Sequence, residues 1–306
     1  MAAKKGVVIT LGASGEWDDA SLSTTSYNSG TCRPSVALCL RDNYVWAYFT
    51  GHNGGTQRIG LACSQDGVNF IRKGVIIPLG ASGASDDYAV WYPSVVWVGN
   101  YCYLYYTGLP SSPRGNVSLA VSKDGINFTK KGHILIDGAS GDYDELATGF
   151  PSIVYKDNIF YLYYGGESAS YDTRICVATS KDGENFTKKG VVIPQGGSGE
   201  WDSTQIYSAK AIVYGEYVFL LYNASEYSAA YYNFIGLAVS KDGINFVRKG
   251  PIRLHGTSGD YDDSYQLGLG AIIKDNCFWI YHYAHDGSTS RMGVDIFPVE
   301  TYCNLA

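Results

Sequence analysis

Ser122-Lys123-Asp124-Gly125-Ile126-Asn127-Phe128 decides the fold, because the chain carries four versions of it. The others are Ser64-Gln65-Asp66-Gly67-Val68-Asn69-Phe70, Ser180-Lys181-Asp182-Gly183-Glu184-Asn185-Phe186 and Ser240-Lys241-Asp242-Gly243-Ile244-Asn245-Phe246. They begin at positions 64, 122, 180 and 240, so the spacings are 58, 58 and 60 residues. A fixed period of that length marks stacked supersecondary units. Asp-Gly between two apolar runs is a strong hairpin signal, since a type I′ turn needs positive φ at both central residues. Each copy therefore predicts a β-hairpin tip.

Five units align around these tips. Each opens on Lys-Gly and an apolar strand, as in Lys73-Gly74-Val75-Ile76-Ile77, and continues into a Gly-x-Ser-Gly-x-x-Asp loop ending at Asp18, Asp86, Asp144, Asp202 or Asp262. An apolar strand follows, such as Pro93-Ser94-Val95-Val96-Trp97 or Pro151-Ser152-Ile153-Val154-Tyr155. Next comes an aromatic strand with period-2 alternation, Tyr103-Leu104-Tyr105-Tyr106 or Tyr161-Leu162-Tyr163-Tyr164. A fourth strand of the type Arg58-Ile59-Gly60-Leu61-Ala62 leads to the tip. Four strands per unit and five units predict an all-β, five-bladed propeller over residues 1–306, with units near 4–72, 73–130, 131–188, 189–248 and 249–300. The first strand has no tip before it and the last has none after it. The N-terminal strand is therefore expected to complete the last blade and close the ring.

Composition agrees. Among 306 residues, 37 are glycine, 27 tyrosine and only 2 methionine, a mix suited to strands and tight turns. The net charge of −6 without a basic run argues against nucleic-acid binding. Seven cysteines without CxxC spacing, several inside apolar strands, read as buried free thiols. The five histidines show no metal-ligand spacing, and no metal or cofactor is expected. Lys4 and Lys5 precede an apolar run too short for a secretory signal, and no stretch has the length of a membrane span. Synthesis in the cytoplasm without membrane insertion is the expectation.

The blade pattern, with Tyr-x-Tyr-Tyr-x-Gly followed by Ile-Gly-x-Ala-x-Ser-x-Asp-Gly-x-x-Phe, resembles the five-bladed furanosidase-like propellers of the arabinanase/xylosidase and invertase/levanase type. That resemblance implies three carboxylates at the axial mouth, beside the start of the innermost strand of three blades. It also leaves an axial calcium ion open. In such hydrolases an acid stands before the strand-start proline. Here the corresponding pairs are Cys32-Arg33, Trp91-Tyr92 and Gly149-Phe150. The acids lie upstream instead. The first of each set, Asp18 through Asp262, recurs in all five units and reads as a loop cap. The next position varies, and an enzyme would draw base, modulator and acid from Asp19, Asp87 and Glu145.

The strand-start positions are rich in aromatic and polar residues: Tyr27, Arg33, Tyr88, Trp91, Tyr92, Phe150, Tyr207, Lys210, Tyr265 and Gln266. Facing the channel they suit a carbohydrate ligand, which binds through aromatic faces and planar hydrogen-bonding groups; plugging the channel is the plainer alternative. The exits of the aromatic strands also differ from unit to unit: His52-Asn53, Leu109-Pro110, Glu167-Ser168, Glu226-Tyr227 and His285-Asp286. The preferred reading is a non-catalytic glycan-binding propeller, a receptor-recognition or decoration module of a phage or other surface assembly. A glycoside hydrolase is the first alternative. An architectural propeller that binds other subunits is the second.

Overall fold

A computed structural model describes residues 3–9, 13–18, 36–53, 56–110, 114–170, 172–225, 234–254, 265–285 and 290–299. It contains β1 (Ala3–Ile9), β2 (Val36–Arg41), β3 (Tyr44–His52), β4 (Gln57–Ser64), β5 (Ile71–Ile77), β6 (Ala89–Val98), β7 (Tyr101–Leu109), β8 (Asn116–Ser122), β9 (Thr129–Leu135) and β10 (Ala147–Lys156). There follow β11 (Ile159–Glu167), β12 (Thr173–Ser180), β13 (Thr187–Ile193), β14 (Gln205–Tyr214), β15 (Tyr217–Ser225), β16 (Phe234–Ser240), β17 (Val247–Leu254), β18 (Tyr265–Lys274), β19 (Cys277–His285) and β20 (Ser290–Pro298). They form five antiparallel four-stranded sheets, and the innermost strands β2, β6, β10, β14 and β18 touch one another in a closed circle. β1 is the outermost strand of blade five, paired with β20. The sequence units and the blades are offset by one strand: the Lys-Gly strand that opens each later unit is the outer edge of the preceding blade.

The Ser-x-Asp-Gly tips are hairpins, but not type I′. Only the glycine has positive φ, 78° at Gly67 and 75° at Gly125. The aspartate instead works through its side chain: Asp124 Oδ1 accepts from the N–H groups of Ile126 and Asn127 at 2.9 and 2.8 Å. Its Oδ2 accepts from Asn127 Nδ2 at 2.7 Å. These bonds favour the charged form and hold the Asp124 carboxyl well below the usual range. Type I′ geometry occurs at the other end of the blades, where Asp42-Asn43, Asp157-Asn158 and Asp275-Asn276 have positive φ at both positions.

Each tip clasps the previous blade. The hydroxyls of Tyr48, Tyr105, Tyr163 and Tyr281 donate to the carbonyls of Gly125, Gly183, Gly243 and Gly67 at 3.0, 2.7, 2.8 and 2.7 Å. The tip phenylalanines Phe128, Phe186, Phe246 and Phe70 meet the same four tyrosines edge to face. Blade five is closed by β1 and has no tip. The residue of blade four that would reach it is Leu221, which packs in one apolar cluster with Val299. Tyrosine stands where a carbonyl needs a donor and leucine where none does.

The recurrent aspartate is structural, though not as a backbone cap. Asp18, Asp86, Asp144 and Asp202 are buried and pair with Arg72, Lys130, Lys188 and Arg248 of the outer strands at 2.9, 2.6, 2.7 and 2.9 Å. Tyr106, Tyr164 and Tyr222 donate hydroxyls to Asp86, Asp144 and Asp202 at 2.8, 2.9 and 3.2 Å. The charge is thus paired and hydrogen-bonded, as burial demands. Cys39, Cys63, Cys102, Cys176 and Cys277 are free thiols.

Candidate active site at the axial mouth

The starts of β6 and β10 are bulged. Register slips between Trp91 and Ser94, and again between Gly149 and Ser152. The bulge turns Tyr92 and Phe150 into the left-handed region, at φ 52° and 54°. Bulky aromatic residues rarely adopt it, so this is stored strain held by surrounding contacts. The holders are threonines of the preceding blade: Thr50 Oγ1 accepts from Tyr92 N at 3.2 Å and Thr107 Oγ1 from Phe150 N at 3.0 Å. In blade three the equivalent residue is Gly165. A Cβ there would lie 2.8 Å from the Tyr207 carbonyl and 3.0 Å from the Phe150 ring. Only glycine lets blade four approach that closely.

The result is an aromatic arc across three blades. Trp91 meets Tyr92 at 5.8 Å between centroids, Tyr92 meets Phe150 at 4.4 Å and Phe150 meets Tyr207 at 4.5 Å, all edge to face. The Trp91 indole N–H has no acceptor among the described residues. Tyr88 stands at the rim, 58% exposed. Lys210 is buried and reaches across the axis from blade four, its Nζ 3.4 Å from Ser94 Oγ of blade two. Asp19, Tyr27 and Arg33 lie outside the described residues, as do the side chains of Tyr265 and Gln266, the first two residues of β18.

Asp87 and Glu145 are both engaged by loop backbone. Asp87 Oδ2 accepts the Gly83 N–H at 2.7 Å, and Glu145 Oε2 accepts the Gly141 N–H at 2.6 Å. Each closes its own Gly-x-Ser-Gly loop. Glu167 is placed differently. Along β11, Tyr163 faces blade four while Tyr164 faces Asp144, so alternation puts Gly165 and Glu167 on the blade-four side. Gly165 is the residue covered by Phe150 and Tyr207, and Glu167 lies two residues nearer the mouth, roughly 7 Å along the strand. Burial raises its pKa above the ordinary carboxylate range, with the Arg114 guanidinium acting in the opposite sense. A carboxyl whose pKa is raised by burial, on the strand face beside an aromatic platform, is a candidate general acid. The sequence signal for it was the uneven set of strand exits, in which both Glu167 and Glu226 stood out as acids; the structure ends β15 at Ser225, so Glu167 is the acid on the last residue of its strand.

Among the described residues no group of histidine, cysteine and acidic side chains could hold a metal ion, and no helix is long and apolar enough to cross a membrane.

No protein-family model matches the chain. A 1,2-β-oligomannan phosphorylase of Thermoanaerobacter sp. (strain X514) is 31% identical over 188 residues, which is 59% of this chain and 57% of that relative's length. Among solved structures, the β-1,2-mannobiose phosphorylase of Listeria innocua in complex with β-1,2-mannobiose aligns with TM-score 0.71 at 14% identity, over 88% of this chain and 90% of that one. A structure described for the GH130 family of mannoside phosphorylases, with hydrolases that target β-1,2 mannosidic linkages in Candida mannan, aligns with TM-score 0.68 at 20% identity, over 87% and 84%. These findings overturn the expectation of a non-catalytic glycan-binding module, because a matched relative and the similar solved structures are carbohydrate-active enzymes. They give no support to a viral structural role. The chain has the five-bladed propeller fold of glycoside-hydrolase-like enzymes.

Proposed function

We propose that the protein is a carbohydrate-active enzyme that cleaves β-mannosides at the axial mouth by transferring the glycosyl group to phosphate. The observation that carries this reading is the juxtaposition of the strained aromatic arc Trp91–Tyr92–Phe150–Tyr207 with Glu167, the carboxyl raised by burial on the strand face that the arc covers. The similarity to an oligomannan phosphorylase over 188 residues supports the choice of substrate class.

In this reading the arc receives the apolar face of a sugar ring and the Trp91 N–H donates to one of its hydroxyls. Glu167 gives its proton to the glycosidic oxygen as the C1–O bond breaks. A phosphate oxygen attacks C1 from the opposite face, and the phosphate's own proton restores the Glu167 carboxyl. Inverting hydrolysis needs a second carboxylate to activate water, whereas phosphate arrives already nucleophilic. Asp87 and Glu145, engaged by loop N–H groups, are not required for this scheme.

The test is incubation with β-1,2-mannobiose, with and without inorganic phosphate. Phosphate-dependent release of a hexose 1-phosphate, lost in Glu167→Gln, is the expected result. Free mannose formed equally without phosphate makes the protein a hydrolase. No turnover of any β-mannoside refutes the proposal.

A further inference from the structure

The position after the strand-start proline forms one register layer around the axis: Ser94 in blade two, Ser152 in blade three and Lys210 in blade four. Both serines are fully buried and Lys210 is 6% exposed. Ser94 Oγ accepts the Ile153 N–H at 2.9 Å, and Ser152 Oγ accepts the Ala211 N–H at 2.8 Å. Each hydroxyl therefore keeps its own hydrogen to donate, and its lone pairs are engaged by a neighbouring blade. Lys210 brings three more donors to the same layer. Its one acceptor among the described residues is Ser94 Oγ, at the outer limit of hydrogen bonding.

Among the described residues no carboxylate acts on the Lys210 ammonium. The titratable group whose field reaches it is Cys39 of blade one. Burial pushes that thiol up to about 12, so it supplies no negative charge at neutral pH. Burial lowers the Lys210 amine only to about 8, so the ammonium form still prevails at pH 7. A buried charge of this kind calls for a counter-charge. Among the described residues the layer holds no acidic side chain, and its walls are buried, which favours a small, compact anion.

We propose that Lys210 and Ser94 form an axial binding site for a small monovalent inorganic anion of the chloride class. The site lies on the propeller axis and does not depend on the mannoside reading of the mouth. The anion pairs with the ammonium, takes the Ser94 hydroxyl proton in a hydrogen bond, and pins blade four to blade two across the channel.

Two measurements test this. Crystals grown in sodium bromide and measured at the bromine edge should show an anomalous peak within about 3.5 Å of Lys210 Nζ; an empty axis there overturns the proposal. In solution, melting temperature is followed in sodium chloride, bromide, phosphate or gluconate at matched ionic strength. The wild type should gain about 2 °C or more in halide over gluconate, and Lys210→Met should show no difference. An equal halide response in both proteins, or a Lys210-dependent gain with phosphate alone, overturns the chloride-class assignment. Should Lys210→Met fail to fold, the bromide peak decides.

Discussion

Removing one hydroxyl from the ring is the sharpest test of how the blades are held. Tyr163 is fully buried, donates to the Gly243 carbonyl at 2.8 Å and meets Phe246 edge to face at 5.7 Å. Tyr163→Phe keeps the ring and its aromatic contact but strands a buried carbonyl, at a cost of about 1 to 3 kcal/mol. Tyr163→Leu also forfeits the aromatic pair, about 0.5 to 1.5 kcal/mol, and leaves a cavity, so about 3 to 5 kcal/mol in all. Unfolding entropy near 2.1 cal/mol/K per residue gives roughly 0.6 kcal/mol per degree for a chain of this length. Tyr163→Phe should then lower the melting temperature by about 2 to 5 °C in differential scanning calorimetry, and Tyr105→Phe by a similar amount. Leu221→Tyr is the reciprocal variant. Its hydroxyl meets no tip carbonyl, so it should destabilise by overpacking, about 1 to 3 kcal/mol. A Tyr163→Phe protein as stable as wild type, or a stabilised Leu221→Tyr, would refute the clasp.

Other outcomes follow from individual contacts. Lys188→Met leaves the 1%-exposed Asp144 carboxylate without its cation and should cost about 2 to 4 kcal/mol in urea denaturation, discounted for the partly exposed lysine; a loss below 1 kcal/mol contradicts the pairing. Glu145→Gln should retain turnover and lose about 1 kcal/mol or less of stability, since it removes one loop bond, whereas Glu167→Gln should abolish turnover with little change in melting. The Lys210 amine falls from 10.5 to about 8 on folding, so the unfolded state binds the proton more tightly. The penalty is fully present below pH 8 and is relieved as pH rises from about 8 to 10.5. In gluconate, wild type should therefore gain up to roughly 3 kcal/mol relative to Lys210→Met across that window; a constant difference contradicts a buried, unpaired ammonium.

Much of the fold was legible because the repeat carries its chemistry locally. Asp124 and Asn127 build the hairpin tip from neighbours within three residues, so the motif alone declares it. The turn type was not legible, because Asp124 satisfies its backbone through the side chain and leaves only Gly125 in the left-handed region. Contacts between units were hidden for a different reason. The partner of Asp144 is Lys188, 44 positions away on the far edge of the same blade, and the partner of Tyr163 is Gly243, 80 positions away in the next. No periodicity within one unit reports such pairs. The aromatic mouth was visible as composition at the strand starts, and the structure joins Trp91, Tyr92, Phe150 and Tyr207 into one arc. Glu167 was visible only as an irregular strand exit. Its significance comes from Gly165 two residues earlier, which admits Phe150 and Tyr207 to that face.

The most direct test of the functional account is a crystal structure with β-1,2-mannobiose bound to the Glu167→Gln protein. The account predicts one sugar ring on the Trp91–Tyr92–Phe150–Tyr207 arc and the glycosidic oxygen within about 3 Å of the residue 167 side chain. A disaccharide seated away from the arc, or with its linkage beside Asp87 or Glu145 instead, would contradict it.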